Sequence, residues 1–266
     1  AWHPDGLSIV LTEGGKLRRL WVENGQVDEI PFMAEIEETI TEQVYKPFRI
    51  EDGPLKVKLM RWHTASPDGG TLAFVALDRI WVMDLPNGSP TRLTGEQSNA
   101  QEYSPAWSPD GRSIAFTTWS DDEGGALWTV ALSGGAPTKL TEVDGMYLNP
   151  TWSPDGTSIV VARGSGEMLR GRLPSDEPWF TLEQVPSGGG EAARIAEVLA
   201  ARGSHVVTPE FGSDGRIFFV EAGEGFRSIK LDGTDTRTHA VIEASDEATA
   251  SPDGRWITYV TWSMNE

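Results

Sequence analysis

The sequence predicts an all-β protein, a β-propeller of four-stranded antiparallel blades, and three observations predict it. A turn built on Asp-Gly occurs six times: Trp2-His3-Pro4-Asp5-Gly6, Ala65-Ser66-Pro67-Asp68-Gly69, Trp107-Ser108-Pro109-Asp110-Gly111, Trp152-Ser153-Pro154-Asp155-Gly156, Phe211-Gly212-Ser213-Asp214-Gly215 and Ala250-Ser251-Pro252-Asp253-Gly254. An apolar, β-favouring run follows each turn, as in Ile114-Ala115-Phe116 and Ile217-Phe218-Phe219-Val220. The turn aspartates lie 63, 42, 45, 59 and 39 residues apart. Self-similarity near that period, with several strands per copy, is the signature of a propeller or a related array.

The third copy shows why each element should form. Residues 103–107 read as a first strand and 108–111 as a tight turn. In that turn Pro109 presets φ, Asp110 can bond the backbone ahead of it, and Gly111 accepts a positive φ. Residues 113–119 alternate apolar and polar as a second strand, 121–125 form a hairpin loop, and 126–132 a third strand. The turn at 133–136 leads into a short outer strand at 137–141, where Pro137 is tolerable at an edge. Four such strands make one blade. The other copies repeat the plan, with Asn-Gly or Asp-Gly between alternating runs as the strongest short hairpin signal.

The blades are expected at about 1–32, 59–94, 103–141, 147–198, 204–242 and 246–266, as a single domain over 1–266. Five copies supply four strands and the sixth only two, about 22 in all. The chain is therefore read as six blades with the last incomplete, or else as an arc of a larger ring. Insertions at 33–58 and 164–178 explain the long spacings, the first carrying an acidic run at 35–42. Residues 191–202 favour helix on propensity, but the repeat register assigns their first half to the outer strand of blade four.

A formal charge of −18 argues against nucleic acid, which needs clustered Lys and Arg, and against an anionic membrane surface. No apolar tract reaches the length of a membrane-spanning helix. With 29 Gly, 17 Pro and 11 Trp, the composition suits many tight turns around an aromatic-rich core. Zero cysteines exclude disulfides and thiolate metal sites. The chain opens inside a repeat and ends just after the β run of the sixth copy, so an internal segment of a longer, monomeric protein is expected.

Chemistry is sparse. His3, His63, His205 and His239 show neither His-x-His nor His-Glu-x-x-His spacing. There is no Gly-x-Ser-x-Gly elbow, no Walker motif and no Gly-x-Gly-x-x-Gly, so no catalytic, cofactor-binding or metal-binding residue is assigned. The acidic tips Asp121-Asp122-Glu123 and Asp232 with Asp235 lack calcium-loop spacing and read as solvated. Asp5, Asp68, Asp110, Asp155, Asp214 and Asp253 read as structural turn residues, since each has the same local task. Trp2, Trp107, Trp152 and Phe211 occupy one phase of the innermost strand and read as inter-blade core, each between its own blade and the next. His3 and His63 lie on or beside inner strands and are the candidate channel-facing residues.

The pattern Pro-x-Trp-Ser-Pro-Asp-Gly-x-x-Ile-Ala-Phe, then Leu-Trp, then Gly-Gly-x-Pro-x-x-Leu-Thr, runs from Pro105 to Phe116, through Leu127-Trp128, and from Gly134 to Thr141. It resembles the WD-like repeats of TolB-type β-propellers, which implies six or seven blades around a channel that binds proteins, peptides or ions. A narrower succession also stands out: Phe48-Arg49-Ile50-Glu51-Asp52-Gly53-Pro54, then Arg79-Ile80-Trp81-Val82-Met83-Asp84, then Thr118-Trp119-Ser120-Asp121 and Leu231-Asp232-Gly233-Thr234-Asp235. It resembles the propeller region preceding the catalytic barrel in secreted bacterial proteins of the amidohydrolase superfamily. This resemblance implies a periplasmic or secreted location and a C-terminal catalytic domain on the same polypeptide. The metal-binding histidines of that family sit in the barrel, so no catalytic position carries over to this chain. The expected function is an accessory propeller of such a hydrolase. The alternatives are a stand-alone module binding a protein or peptide at the channel mouth, and the gating propeller of a prolyl-oligopeptidase or tricorn-type peptidase.

Overall fold

The computed structural model describes residues 1–35, 37, 53, 56–95, 100–171, 178–200, 206–242, 245–251 and 256–261. Its described elements are strands, turns and loops, and it divides into two compact units, Ala1–Pro54 and Leu55–Glu266. The division falls inside the 33–58 insertion, where a single domain over 1–266 was expected. The acidic run at 35–42 and the turn at Asp253 lie mostly or wholly outside the described residues.

The first unit holds a three-stranded antiparallel sheet of β1 (Ser8–Glu13), β2 (Lys16–Trp21) and β3 (Val27–Ile30). Four strands were expected here. The innermost one is reduced to a single bridge between Trp2 and Ile9. This also corrects the reading of Trp2 as core: it is 62% exposed, because one bridge does not build a strand that could carry its indole into a sheet interface.

The second unit contains three complete blades in sequence, then a fourth, then a pair of strands. They are β4 (Arg61–Ala65), β5 (Thr71–Ala76), β6 (Arg79–Asp84) and β7 (Thr91–Arg92); β8 (Gln101–Trp107), β9 (Ser113–Ser120), β10 (Gly124–Ala131) and β11 (Thr138–Lys139); and β12 (Met146–Trp152), β13 (Ser158–Gly164), β14 (Trp179–Pro186) and β15 (Ala193–Leu199). Next come β16 (Glu210–Phe211), β17 (Ile217–Glu221), β18 (Gly225–Ile229) and β19 (Arg237–Ala240), and lastly the pair β20 (Ser245–Ala250) and β21 (Ile257–Thr261). Strands follow chain order across each sheet and every pairing is antiparallel, as successive hairpins require. Residues 193–199 are strand β15, paired with β14, so the repeat register overrides the local helix propensity.

The blades are held together by apolar clusters shared between neighbouring sheets. One joins the second and third blades through Ile80, Trp107, Ile114 and Phe116. Another joins the third and fourth through Leu127, Tyr147, Ile159 and Val185, and a third joins the fourth and fifth through Phe180, Leu182, Ile217 and Phe219. Each fully buried large side chain contributes about 1.5–3 kcal/mol relative to exposure. The strand faces are apolar on both sides in the middle of a blade, as in Ala162 against Val161, because both faces meet another sheet.

The described part of the 164–178 insertion is tied down. Arg170 pairs with Asp144 at 2.5 Å and stacks 5.3 Å from the centre of the Trp119 ring. Gly166 has φ +71°, and a Cβ there would lie 2.6 Å from Trp119, so the loop can cross the indole only as glycine.

Candidate functional site

The turn motif was expected to be scaffold, and its geometry is the same in copy after copy. In the third blade Asp110 Oδ1 accepts from Ser108 Oγ at 2.6 Å and from the Arg112 amide at 3.1 Å. Ser108 Oγ in turn accepts from the Ser113 amide at 2.9 Å. Asp68 and Asp155 repeat this with Ser66 and Ser153, each at 2.6 Å. Asp5 accepts from the Leu7 amide and Asp214 from the Arg216 amide. These donors hold the carboxyls of Asp68, Asp110 and Asp155 below the usual range, the Ser hydroxyl first in each. Asp155, with two bonds from Thr157 as well, falls to about 2.

His3 lies in the first unit beside its turn, with Nδ1 3.0 Å from Asp5 Oδ2 and 3.5 Å from Arg19 Nη2. The acidic tips are exposed, as the solvated reading has it, and two of their aspartates also hold partners. Asp121 accepts from the Trp119 indole at 3.0 Å, and Asp235 pairs with Arg237 at 2.6 Å and buried Arg216 at 3.0 Å. Among the described residues no three His, Cys, Asp or Glu side chains come together as a set able to hold a metal ion.

The inner strands β4, β8, β12 and β16 wall a cavity of about 570 Å³ that opens to solvent. The second to fifth blades each contribute the residues four to six positions before the turn aspartate, joined by Ala65, Trp107, Trp152, Pro67 and Pro109. In the second blade these include exposed His63 and Thr64. In the next three blades a proline stands at the equivalent point: Pro105, Pro150 and Pro209. The wall therefore mixes proline and indole rings with the polar side chains of Ser104, Asn149, Thr151 and Thr208, and His63 and Glu210 are its titratable groups.

The backbone is strained at this wall. Trp62, Ser104 and Asn149 occupy the same register position and have φ +48°, +47° and +49°. Each sits at a β-bulge, where the pairing of the inner strand with its neighbour slips. Left-handed φ in a non-glycine costs on the order of 1–3 kcal/mol, and prolines following Ser104 and Asn149 restrict those residues further. Bulges bend a strand and re-aim its side chains, which is what happens here. Ser104 Oγ donates to Asn149 Oδ1 at 3.1 Å, and Asn149 Nδ2 donates to Val207 O and to Thr208 Oγ1, both at 3.1 Å. A belt of hydrogen bonds thus crosses three blades at the channel wall. Trp62 packs edge-on against Tyr103 at 5.4 Å.

A second connection runs just below. The Trp107 indole donates to Thr64 O and the Trp152 indole to Ala106 O, each at 3.1 Å. Both reach the preceding blade, not the following one as expected from sequence. The reason is that the indole lies on the face its strand presents to the blade already laid down. Trp107 is 8% exposed, while Trp152 and Phe211 are half-buried. Phe211 has no N–H to donate.

Sequence reading named His63 but passed over Ser104, Asn149 and Thr208. The one available signal was the proline recurring two residues ahead of Trp107, Trp152 and Phe211. It marks the register of the wall, although not the left-handed turn that precedes it.

Residues 61–173 match the family described as the TolB beta propeller domain. Among curated proteins, the uncharacterized peptidase YuxL of Bacillus subtilis (strain 168) is 30% identical over 88 residues, covering 29% of this chain. The matched stretch spans only 13% of that relative's length. Among solved structures, a putative TolB from Agrobacterium tumefaciens aligns with TM-score 0.56 at 19% identity, over 98% of this chain and 89% of that one. TolB from Acinetobacter baumannii aligns with TM-score 0.54 at 17% identity, over 93% of this chain and 54% of that one. An oligogalacturonate lyase solved in complex with manganese aligns with TM-score 0.58 at 11% identity, over 93% of this chain and 65% of that one. The fold is that of a TolB-like β-propeller.

Proposed function

We propose that this TolB-like β-propeller is a non-catalytic accessory region of a larger secreted hydrolase of the amidohydrolase type, where it controls access or seats the catalytic domain. The observation that carries the reading is the channel wall. The inner-strand stretches of four blades present proline rings, hydroxyl side chains and a bridging carboxamide around a cavity of about 570 Å³, a surface suited to an extended chain or a docking loop. Ser104, Asn149 and Thr208 bond one another along this wall, which favours a role in shape over one in chemistry. The periplasmic or secreted location belongs to the same reading and rests on the resemblance to TolB-type proteins.

Two other readings each have one observation behind them. A stand-alone module binding a protein or peptide at the channel mouth is favoured by the alignment over 89% of the Agrobacterium structure. A gating propeller of a peptidase is favoured by the Bacillus relative.

The coding sequence beyond Glu266 separates the three. A barrel with a His-x-His motif supports the hydrolase reading, a serine-nucleophile domain supports the peptidase, and an immediate stop codon leaves the stand-alone module. On the full polypeptide, His63→Trp narrows the channel from an exposed position. It should lower kcat/KM for bulky substrates by about tenfold and leave small chromogenic ones unchanged. Equal loss on both classes, or none on either, sinks the access role.

A further inference from the structure

Away from the channel, the second and third blades enclose a cleft of about 610 Å³ between β7 and the β9–β11 face. Its apolar walls are Leu93, Phe116, Trp128 and Pro137. Its floor carries Glu102, only 2% exposed, whose Oε2 accepts from the Ile80 amide and from Thr94 Oγ1, both at 2.7 Å. Arg92 also lines the cleft. Its Nη2 donates to Gly95 O at 2.7 Å, while its Nε is buried without a partner. A buried donor that nothing meets costs about 1–3 kcal/mol, whereas the Glu102 carboxyl is held by its two donors.

The repeat supplies an internal comparison. Glu102 stands eight residues before Asp110, and Tyr147 stands eight residues before Asp155. At the next interface that tyrosine ring is 1% exposed and its hydroxyl donates to Val143 O at 2.7 Å. The strand positions matching Thr118 and Trp128 are filled there by the ion pair of Arg163 and Glu183 at 2.8 Å. One interface is thus plugged by its own phenol ring and ion pair. The other, with the shorter Glu102 and a Thr118–Trp128 hydrogen bond at 3.0 Å, is left open.

We propose that this cleft binds a small aromatic molecule of the phenol type. Its ring lies against Trp128 and Phe116, and its hydroxyl donates to the Glu102 carboxylate. A phenol ring occupies the kind of volume that Tyr147 fills one blade further on, with its hydroxyl toward the carboxylate that stands at the matching position here. Burial pushes the Glu102 carboxyl up, while the Ile80 and Thr94 donors and the charges of Arg79 and Arg92 oppose this. A neutral donor suits that balance better than a second cation beside Arg92.

Isothermal titration calorimetry of p-cresol into the whole chain tests the site. Saturable one-to-one binding is expected. It should weaken at least about tenfold in Ala136→Trp, which plugs the exposed mouth, and by a similar factor in Glu102→Gln. Toluene, which lacks the hydroxyl, should bind at least about tenfold more weakly than p-cresol. Glu102 is structural enough that its variant could fail to fold, but Ala136 is exposed and its variant keeps the test decisive. No saturable binding to the native chain, undiminished binding in Ala136→Trp, or toluene bound as tightly as p-cresol each overturns the proposal.

Discussion

Single carboxylates set much of the acid sensitivity of this molecule. Asp155 has its pKa lowered to about 2 by hydrogen bonds from Ser153 and from the backbone and hydroxyl of Thr157. A folded-state pKa below the unfolded value means the turn's contribution is complete above about pH 4 and is lost as pH falls toward 2. Asp68 and Asp110 shift in the same direction by the same hydroxyl donors. Asp155→Asn should therefore lower the melting temperature near pH 6 and flatten its fall between pH 4 and 2, measured by thermal denaturation across that range. A variant curve parallel to the native one would mean Asp155 titrates alike in both states. These aspartates were legible in sequence because the chemistry is local: a Ser two residues before and an amide two residues after. Asp235 was not, since its partner Arg216 lies in a different turn of the same sheet, 19 residues away, and is brought there only by folding.

At the scale of the strand, side chains stitch one blade to the next. The Trp107 indole crosses from β8 to the carbonyl of Thr64 in β4. Trp107→Phe keeps most of the buried ring and removes that bond. It should cost about 0.5–1.5 kcal/mol in urea unfolding, whereas Trp107→Ala should cost about 3–5 kcal/mol. A phenylalanine variant as damaging as the alanine one would show that the ring's shape, not the bond, matters. Strand identity and order were readable from period-2 alternation and turn chemistry, and even residues 193–199 followed the register. The channel wall was less readable. A left-handed Ser104 or Asn149 leaves no mark in composition, because the bulge that creates it depends on how two strands slip against each other. The orphaned Arg92 Nε was likewise invisible, since burial of a donor is a property of the finished interface.

For the whole molecule, charge is the dominant global term. Forty acidic residues face 22 basic ones, and most described ion pairs are at least partly exposed, worth about 0–1 kcal/mol each. Repulsion summed over an excess of 18 negative charges outweighs what screening removes from those pairs. Raising NaCl from about 10 mM to about 150 mM should then raise the melting temperature by about 2–4 °C, the equivalent of roughly 1 kcal/mol. A fall with salt would show that ion pairs such as Arg170–Asp144 matter more than the net charge.

The indole bonds also have a direction, and it bears on how the protein is made. Thr64 O precedes Trp107 and Ala106 O precedes Trp152 along the chain. A polypeptide emerging amino end first therefore always displays the acceptor before the donor that needs it. Through these two bonds the third and fourth blades each latch onto a neighbour already made. At these two joints, docking can follow the order of translation.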